Sequence, residues 1–405
     1  MSRTGRVIVV GAGPVGIVCA LALSKRGIPV TVFEQEPAPV KDQRAASIHP
    51  PTLAMLDEIG ITSRILDKGF ISAKYRFHDR AAGNVVAEFD LDRMRDEFQF
   101  PFVLQYEQYK LTAAISREFA NGSDFDVRFS HKVSSLSQTA DGVTVEVASP
   151  GGAEVYHADF VIGCDGGRSM VRKLADIEFR GFRYPEQFIK IATSFDFAAV
   201  NPHLVFRNYF SDPDEWCNLF KVRGEKDPGL WRAIFPTRSD ESEETALKPD
   251  RIEERLQRFF PKSGRYDIEY VNVYHVAQCV AATFRKGRVL LAGDSAHVNN
   301  PIGGMGMNGG IHDALNLVEK LAAVLHGTAS EEALDRYDRQ RRHAAETYVQ
   351  TQTIANKRLM EERDPAVRSR NFDELRRTAE DPERAKAYMR RASLLESLNS
   401  AAAIA

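Results

Sequence analysis

Val7-Ile8-Val9-Val10 runs straight into Gly11-Ala12-Gly13-Pro14-Val15-Gly16, and apolar residues then recur at Ile17, Ala20, Leu21 and Leu23 before Gly27. A second apolar run, Pro29 to Phe33, ends in Glu34 and then Gln35. This is strand, tight turn, helix and strand, closed by an acid at the spacing of about 20 residues that marks a dinucleotide fold. Gly11 makes the turn, Gly13 lets a pyrophosphate approach the backbone, and Gly16 lets helix and strand pack closely. Pro14 and Val15 open a helix whose free N–H groups and positive dipole end face the phosphates. Glu34 stands where it can accept hydrogen bonds from an adenosine ribose. The motif does not choose between nicotinamide and flavin.

Two later segments repeat the theme. Asp159-Phe160-Val161-Ile162-Gly163-Cys164-Asp165-Gly166-Gly167 is an apolar strand ending in glycine and a carboxylate, followed by a helix carrying Arg168 and Arg172. Val289 to Ala292 is a buried strand that delivers Gly293 and Asp294. A loop almost without side chains follows, Pro301 to Gly310, and then a helix with Ile311, Ala314, Leu315, Val318 and Leu321 at helical spacing. A strand that delivers a carboxylate, a bare loop and a helix N-terminus make a polar ligand site.

Between these segments the pattern changes twice. Residues 71–100 alternate as strands around Gly83-Asn84, and residues 180–275 are aromatic and strand-rich, long enough for a sheet of their own. Phe102 to Gln105 reads as a returning strand, followed by a helix from about Tyr109 to Ala120. Residues 125–147 hold two strands about the turn Ala140-Asp141-Gly142. Val271 to Val276 brings the chain back to the nucleotide unit. Beyond Ala329 the chain is helical and charged. Arg44, before the helix that carries Leu53, Leu56 and Ile59, is placed either to face a pyrophosphate or to lie in solvent.

Composition excludes several classes. A net charge of −2 lacks the basic footprint of a nucleic-acid binder. No apolar run reaches the ~18 residues of a spanning helix, and the N-terminus lacks a signal-peptide core. Cys19, Cys164, Cys217 and Cys279 form no C-x-x-C pair, so neither zinc nor a disulfide framework is expected, and a reduced cytoplasm is the simplest home.

The Gly11-x-Gly13-x-x-Gly16 turn with Glu34, the Gly163-Cys164-Asp165-Gly166 segment, and Gly293-Asp294 with its glycine-rich sequel together resemble the single-component flavoprotein monooxygenases of the para-hydroxybenzoate hydroxylase type, over residues 5–345. The resemblance implies an α/β fold, or an α+β composite. A Rossmann-like FAD-binding domain (1–70, 101–175 and 271–345) would carry an inserted, mostly antiparallel substrate domain (71–100 and 176–270) and a C-terminal helical segment (346–405). It also implies bound FAD, with NADH or NADPH and O2 as co-substrates, and hydroxylation of a phenolic or heteroaromatic ring through a flavin C4a-hydroperoxide. By position, Gly11 to Gly16 with Glu34 and Gln35 would hold the ADP half, with Arg44, Gln105 and Val133 as further contacts. Asp165 would serve both FAD and the nicotinamide. Gly293 and Asp294 would hold the ribityl chain, the backbone of Gly306, Met307 and Asn308 the flavin edge, and Pro301 the face where oxygen reacts.

Pocket candidates are Tyr209, Phe206, Trp216 and Arg232, on strands where that family builds its substrate wall; Arg232 could pair with a substrate carboxylate or be a solvated strand residue. His49, His203 and His275 read as packing or surface histidines. No metal site is expected, and a homodimer is a family expectation. A flavin-dependent halogenase shares much of the scaffold but carries W-x-W-x-I-P, whereas this chain has Trp231-Arg232-Ala233-Ile234-Phe235-Pro236. A flavin oxidoreductase without oxygen insertion would keep the same cofactor motifs. A non-catalytic nucleotide sensor would keep Gly11 to Glu34 but has no need of the segment after Asp294.

Overall fold

In the computed structural model, residues 7–41, 44–119, 125–225 and 228–405 are described; Ala120, the expected end of one helix, lies outside them. The strand Val7–Val10 is buried on both faces and pairs in parallel with Val30–Phe33 on one side and Phe160–Gly163 on the other. Phe125–Arg128 extends the sheet beyond Val30–Phe33, Val289–Leu291 extends it beyond Phe160–Gly163, and the short antiparallel Arg285–Lys286 closes that edge. Continuous apolar strands of this kind must be covered on both sides. The helices Pro14–Ser24 and Met305–Leu325 are among the covers, and their apolar faces share one core with the strands. All three glycine-bearing strand ends therefore emerge at the same edge of one sheet.

The second unit is an eight-stranded sheet in the order His297–Val298, Ile268–Ala281, Phe179–Thr193, Leu230–Pro236, Cys217–Val222, Arg207–Ser211, Lys74–Asp79 and Asn84–Asp90. Every pairing is antiparallel except that of Arg207–Ser211 with Lys74–Asp79. Side chains alternate between the two faces. Ile189 and Ile191 enter one apolar cluster with Ile252 and Leu256 of the helix Pro249–Phe259. Phe188 enters another, which contains Tyr75, Phe77, Tyr209 and residues of the C-terminal helices, among them Met360, Phe372 and Met389. Lys190, on this second face, donates to the Arg44 carbonyl oxygen at 3.0 Å and so ties the sheet to the nucleotide half.

Four details differ from the sequence reading. Residues 125–147 contain three strands, Phe125–Arg128, Lys132–Gln138 and Val143–Ser149; the last two join Gly152–Ala158 in a separate antiparallel sheet. The segment Val271 to Val276 lies inside the strand Ile268–Ala281, paired with Phe179–Thr193, so the chain leaves the large sheet only after Ala281. Of the two arginines expected on one helix, only Arg172 lies within Met170–Leu174. Residue 346 falls inside a helical run from Glu332 to Glu361, interrupted by a π-helical turn over Ala344–Gln350. That turn sets Gln350 where it donates to the Val298 carbonyl oxygen at 2.9 Å and accepts from Gln278 at 2.7 Å, a tie that no periodicity shows.

Candidate active site

The first glycine segment touches both of the others. A Cβ on Gly11, whose φ is +100°, would lie 2.5 Å from the Cys164 carbonyl oxygen, so the first turn rests on the second motif. A Cβ on Gly293 would approach Val15 to 2.9 Å, and one on Gly310 would reach Val15 at 2.6 Å and the Gly293 Cα at 2.9 Å. Gly293 and Gly310 thus let the helix Met305–Leu325 seat against the first helix. Gly13 differs: nothing lies within 4 Å of its added Cβ, and the helix it precedes has no side-chain cap. Such a bare N-terminus leaves backbone donors unsatisfied.

Glu34 links turn and second strand, its carboxylate accepting from the Ala12 N–H at 2.7 Å and the Glu36 N–H at 3.0 Å. Gln35 and Arg44 are exposed beside this edge, and the Val133 side chain is packed into the core of the parallel-sheet half. Asp165 is occupied by its own chain: it accepts from Ser169 Oγ at 2.5 Å and from the N–H groups of Met170 and Val171 at 2.6 and 3.0 Å. Together with Ser169, whose Oγ accepts from the Arg172 N–H at 2.9 Å, it caps the helix Met170–Leu174. Arg172 then joins the second and third motifs, donating to the carbonyl oxygens of Ser295 and Gly167, both at 2.8 Å.

Beneath Gly293 lies a charge cluster that sequence reasoning missed. The fully buried Asp313 accepts from Arg341 Nε at 2.6 Å, His297 Nε2 at 2.8 Å and the Gly293 N–H at 3.1 Å. Burial disfavours its charge, but His297 and Arg341 outweigh this and hold the carboxyl at about 2. Asp313 and Arg341 are far apart in sequence and each reads alone as a helix-surface charge, so only the fold reveals the pair. Asp294, in the same turn Gly293–Ser295, is half-buried.

The helix Met305–Leu325 begins at Gly304, whose φ of 72° favours glycine, and it has no side-chain cap. Its fourth residue, Asn308, is fully buried and accepts from the His49 N–H at 2.9 Å while donating to the carbonyl oxygens of Ser47 at 2.8 Å and Gly304 at 2.6 Å. One amide therefore clamps the 47–49 segment against the glycine loop. Gly306 and Met307 lie in the first turn, and the Pro301 carbonyl oxygen accepts from the Gly304 N–H at 3.0 Å. Gln105 is fully buried; its Oε1 accepts from Ser47 Oγ at 2.8 Å, and its Nε2 has no hydrogen-bond partner among the described residues.

On the other side of this loop a cleft opens between the large sheet and the C-terminal helices. Its walls are mostly aromatic and aliphatic, and Tyr388 and Met389 are contributed by the helix Pro382–Ala392. Tyr209 lines it, as does Arg207, two residues earlier on the same face of the strand. Arg207 is 5 % exposed, donates from Nη2 to the Tyr209 hydroxyl at 3.0 Å, and faces no carboxylate among the described residues; its Nε has no partner. His49 also lines the cleft.

Phe206, Trp216, Arg232 and Pro301 do not line the cleft. Phe206 immediately precedes the strand Arg207–Ser211 and packs, tilted, against Phe70, ring centroids 5.4 Å apart. Trp216 is core, edge-on to Phe188 at 4.9 Å. Arg232 is neither solvated nor aimed at the cleft: it is 3 % exposed at the side chain and paired with Glu107 at 3.8 Å. His203 is exposed on the surface and His275 lies along the strand Ile268–Ala281.

The donor set fits FAD. A flat ring needs a bare loop at a helix N-terminus, a pyrophosphate needs open backbone like that at Gly13, and the orphaned Gln105 amide is a buried donor awaiting an acceptor. The model of the FAD binding domain family matches residues 4–352. The para-nitrophenol 4-monooxygenase of Pseudomonas sp. (strain WBC-3) is 34 % identical over 404 residues, covering 98 % of this chain and 97 % of that one. A 3-(3-hydroxy-phenyl)propionate/3-hydroxycinnamic acid hydroxylase of Mycolicibacterium smegmatis is 32 % identical over 87 % of this chain and 60 % of its own length. The crystal structure of p-nitrophenol 4-monooxygenase from Pseudomonas putida DLL-E4 superposes with a TM-score of 0.91 at 32 % identity, covering 98 % of this chain and 99 % of that one. Among the described residues no helix is long and apolar enough to cross a membrane. The chain belongs to the FAD-binding family of single-component flavoprotein aromatic monooxygenases, and it is an FAD-dependent aromatic hydroxylase.

Proposed function

We propose that the enzyme takes a small phenol as its phenolate and inserts one oxygen atom from O2, consuming NADH or NADPH in the cytoplasm. The observation that carries this reading is Arg207, a buried guanidinium that faces no carboxylate in an aromatic cleft. The Tyr209 hydroxyl at 3.0 Å and the Tyr75 ring, 5.2 Å from the guanidinium, stabilise this cation without neutralising it, so an anionic substrate would supply the missing counter-charge. The mostly apolar walls of the cleft would exclude water that would otherwise weaken the Arg207–phenolate attraction.

The cofactor-binding roles belong to the same reading. Gly11, Gly13, Pro14, Val15 and Gly16 would hold the pyrophosphate of FAD, and Glu34 with Gln35 the adenosine ribose. Val133 would border the adenine. Arg44 and the Gln105 amide would reach the middle of the cofactor, Gly293 and Asp294 the ribityl chain, and Gly306, Met307 and Asn308 the ring edge. Asp165 acts indirectly, by capping the helix that carries Arg172. When bound, FAD supplies the two-electron reduction of O2 and the transfer of oxygen to the ring. The protein's part is to orient the ring against Ile302 and Gly303 of the glycine loop, hold the phenolate at Arg207 and keep the N-terminus of Met305–Leu325 aimed at negative charge.

p-Nitrophenol, the substrate named for the relatives above, is the first compound to test. Substrate-stimulated NAD(P)H oxidation is expected, with a product that carries one atom from isotopically labelled O2. Peroxide release with every phenol tested, and no labelled product, would sink the reading.

A further inference from the structure

The large sheet has two faces, and the cleft uses only one of them. Along Lys74–Asp79 and Arg207–Ser211, Phe77 and Tyr209 line the cleft. His78 and Phe210, paired across the same two strands, point to the opposite face. There a second pocket opens between the sheet and the C-terminal end of the helix Pro249–Phe259, walled by Phe197, Leu204, Phe210, Leu219, Phe259 and Phe260. Its fixed charges are already paired. Arg80 lies between Asp212 and Glu215, at 3.9 and 3.7 Å, and Asp79 is paired with Arg368. An ionic ligand would lose its water here with neither fixed charge free to compensate it.

One polar group is open. The His78 ring is 5 % exposed and stacks on Phe210, centroids 4.2 Å apart. Its Nε2 lies 3.2 Å from Asn208 Oδ1. The backbone of Val205 orients that amide, donating its N–H to Oδ1 at 3.2 Å and accepting from Nδ2 at 2.5 Å. Asn208 Oδ1 is therefore the acceptor, and His78 carries its proton on Nε2. The other ring nitrogen, Nδ1, is left with a lone pair and no partner among the described residues. Burial, helped by the nearby Arg76 and His203 and opposed by the Asn208 hydrogen bond, holds the ring at about 4, so it is neutral at physiological pH.

We propose that this pocket is a second ligand site, for a phenol in its neutral form, whose O–H donates to His78 Nδ1 while the ring packs on the phenylalanine walls. An aromatic enclosure with a single neutral acceptor selects a flat ring that carries one donor. The site is the chemical complement of the cleft, where the Arg207 cation favours the ionised form. It requires only the pocket's own groups and stands apart from the phenol reading of the cleft.

The test is equilibrium dialysis of isotopically labelled phenol against FAD-loaded enzyme, at a pH below the solution pKa of phenol. Two phenols per chain are expected, one of them weakened by Arg207→Met. His78→Phe keeps the stacked ring and leaves Asn208 Oδ1 its Val205 N–H, so it should weaken the other phenol by about 3- to 10-fold, the worth of one hydrogen bond. The same variant should leave the binding of toluene, which lacks the donor, unchanged. Leu204→Trp, which fills the pocket from a partly exposed position, should abolish the second phenol and decides the matter if His78→Phe misfolds. Flavin absorbance reports that each variant is folded. A single phenol per chain that depends on Arg207 would overturn the second site. So would a second phenol that neither pocket variant changes, or equal losses for phenol and toluene in His78→Phe. A single phenol that depends on His78 and Leu204 would instead overturn the phenol reading of the cleft and leave this site standing.

Discussion

The cofactor cradle and the substrate cleft are two sites built from different materials. The cradle is backbone: glycines, helix N-termini and strand ends gathered at one edge of a parallel sheet. The cleft is side chain: an arginine, a histidine and three tyrosines brought together from the large sheet, the 47–49 segment and the C-terminal helices. Backbone sites need particular residue types at fixed short spacings, whereas side-chain sites need only that distant positions meet. The first kind leaves a motif and the second does not.

The largest expected effect falls where the cradle depends on hidden side chains. Asp313→Asn leaves Arg341 buried without its carboxylate and releases the Gly293 N–H, so a loss of about 3–5 kcal/mol is expected in denaturant melts, with loss of bound FAD. Because the folded carboxyl sits at about 2 against an ordinary 3.8, its stabilisation is present in full above about pH 4 and disappears as pH falls toward 2. The gap between wild type and variant should accordingly narrow on acidification; a constant gap would argue that Asp313 acts by shape rather than charge.

Removing the cleft's cation is the next step down. Arg207→Met should lower kcat/KM for phenolates by about 10- to 100-fold, the worth of a charged hydrogen bond, while flavin absorbance is unchanged. If FAD is lost in parallel, the two sites are not separable in the way described.

A pair of glycine substitutions sharpens the contrast within the cradle. Gly310→Ala forces a methyl against Val15 and the Gly293 backbone and should cost about 1–3 kcal/mol of stability. Gly13→Ala meets nothing in the protein, so its melt should match the wild type while FAD affinity falls. Equal melting losses in both would mean that Gly13 serves packing and not a ligand.

The smallest effect is expected at the rim of the cleft. Arg390 pairs with Glu97 through two hydrogen bonds of 2.6 Å and Lys386 with Asp96 at 2.9 Å, fastening the helix that carries Tyr388 and Met389. These pairs lie near solvent, so Arg390→Ala should cost about 0.5 kcal/mol and the difference should fade in high salt. An effect on KM larger than that on stability would show that the helix position tunes substrate binding.

Much of the cradle was legible because its spacing is local. Gly11 to Glu34 lies within one strand–helix–strand unit, and the chain from Val289 through Asn308 delivers both a carboxylate and a bare loop. Even there the fold adds meanings that the motifs do not carry: Asp165 helps to cap a helix, and Gly293 and Gly310 also let a helix pack against Val15. The cleft was hardly legible at all. Of the side chains proposed for its wall, Tyr209 lines it and Phe206, Trp216 and Arg232 do not, since an aromatic-rich sheet with two buried faces gives every strand residue similar surroundings in sequence. His49 read as a packing or surface histidine because nothing near it in the chain shows that it lines the cleft.

The sequence by itself determined the α/β nucleotide fold, the FAD motifs and the presence of an inserted sheet, because period, glycine spacing and strand-end acids are properties of neighbouring residues. Only the tertiary structure decided which face of the sheet meets the cofactor edge, that the C-terminal helices complete the cleft, and that Arg207 and His49 share it. Those are long-range meetings, and burial in a shared apolar cleft, the observation that marks both residues, exists only once the chain has folded around them.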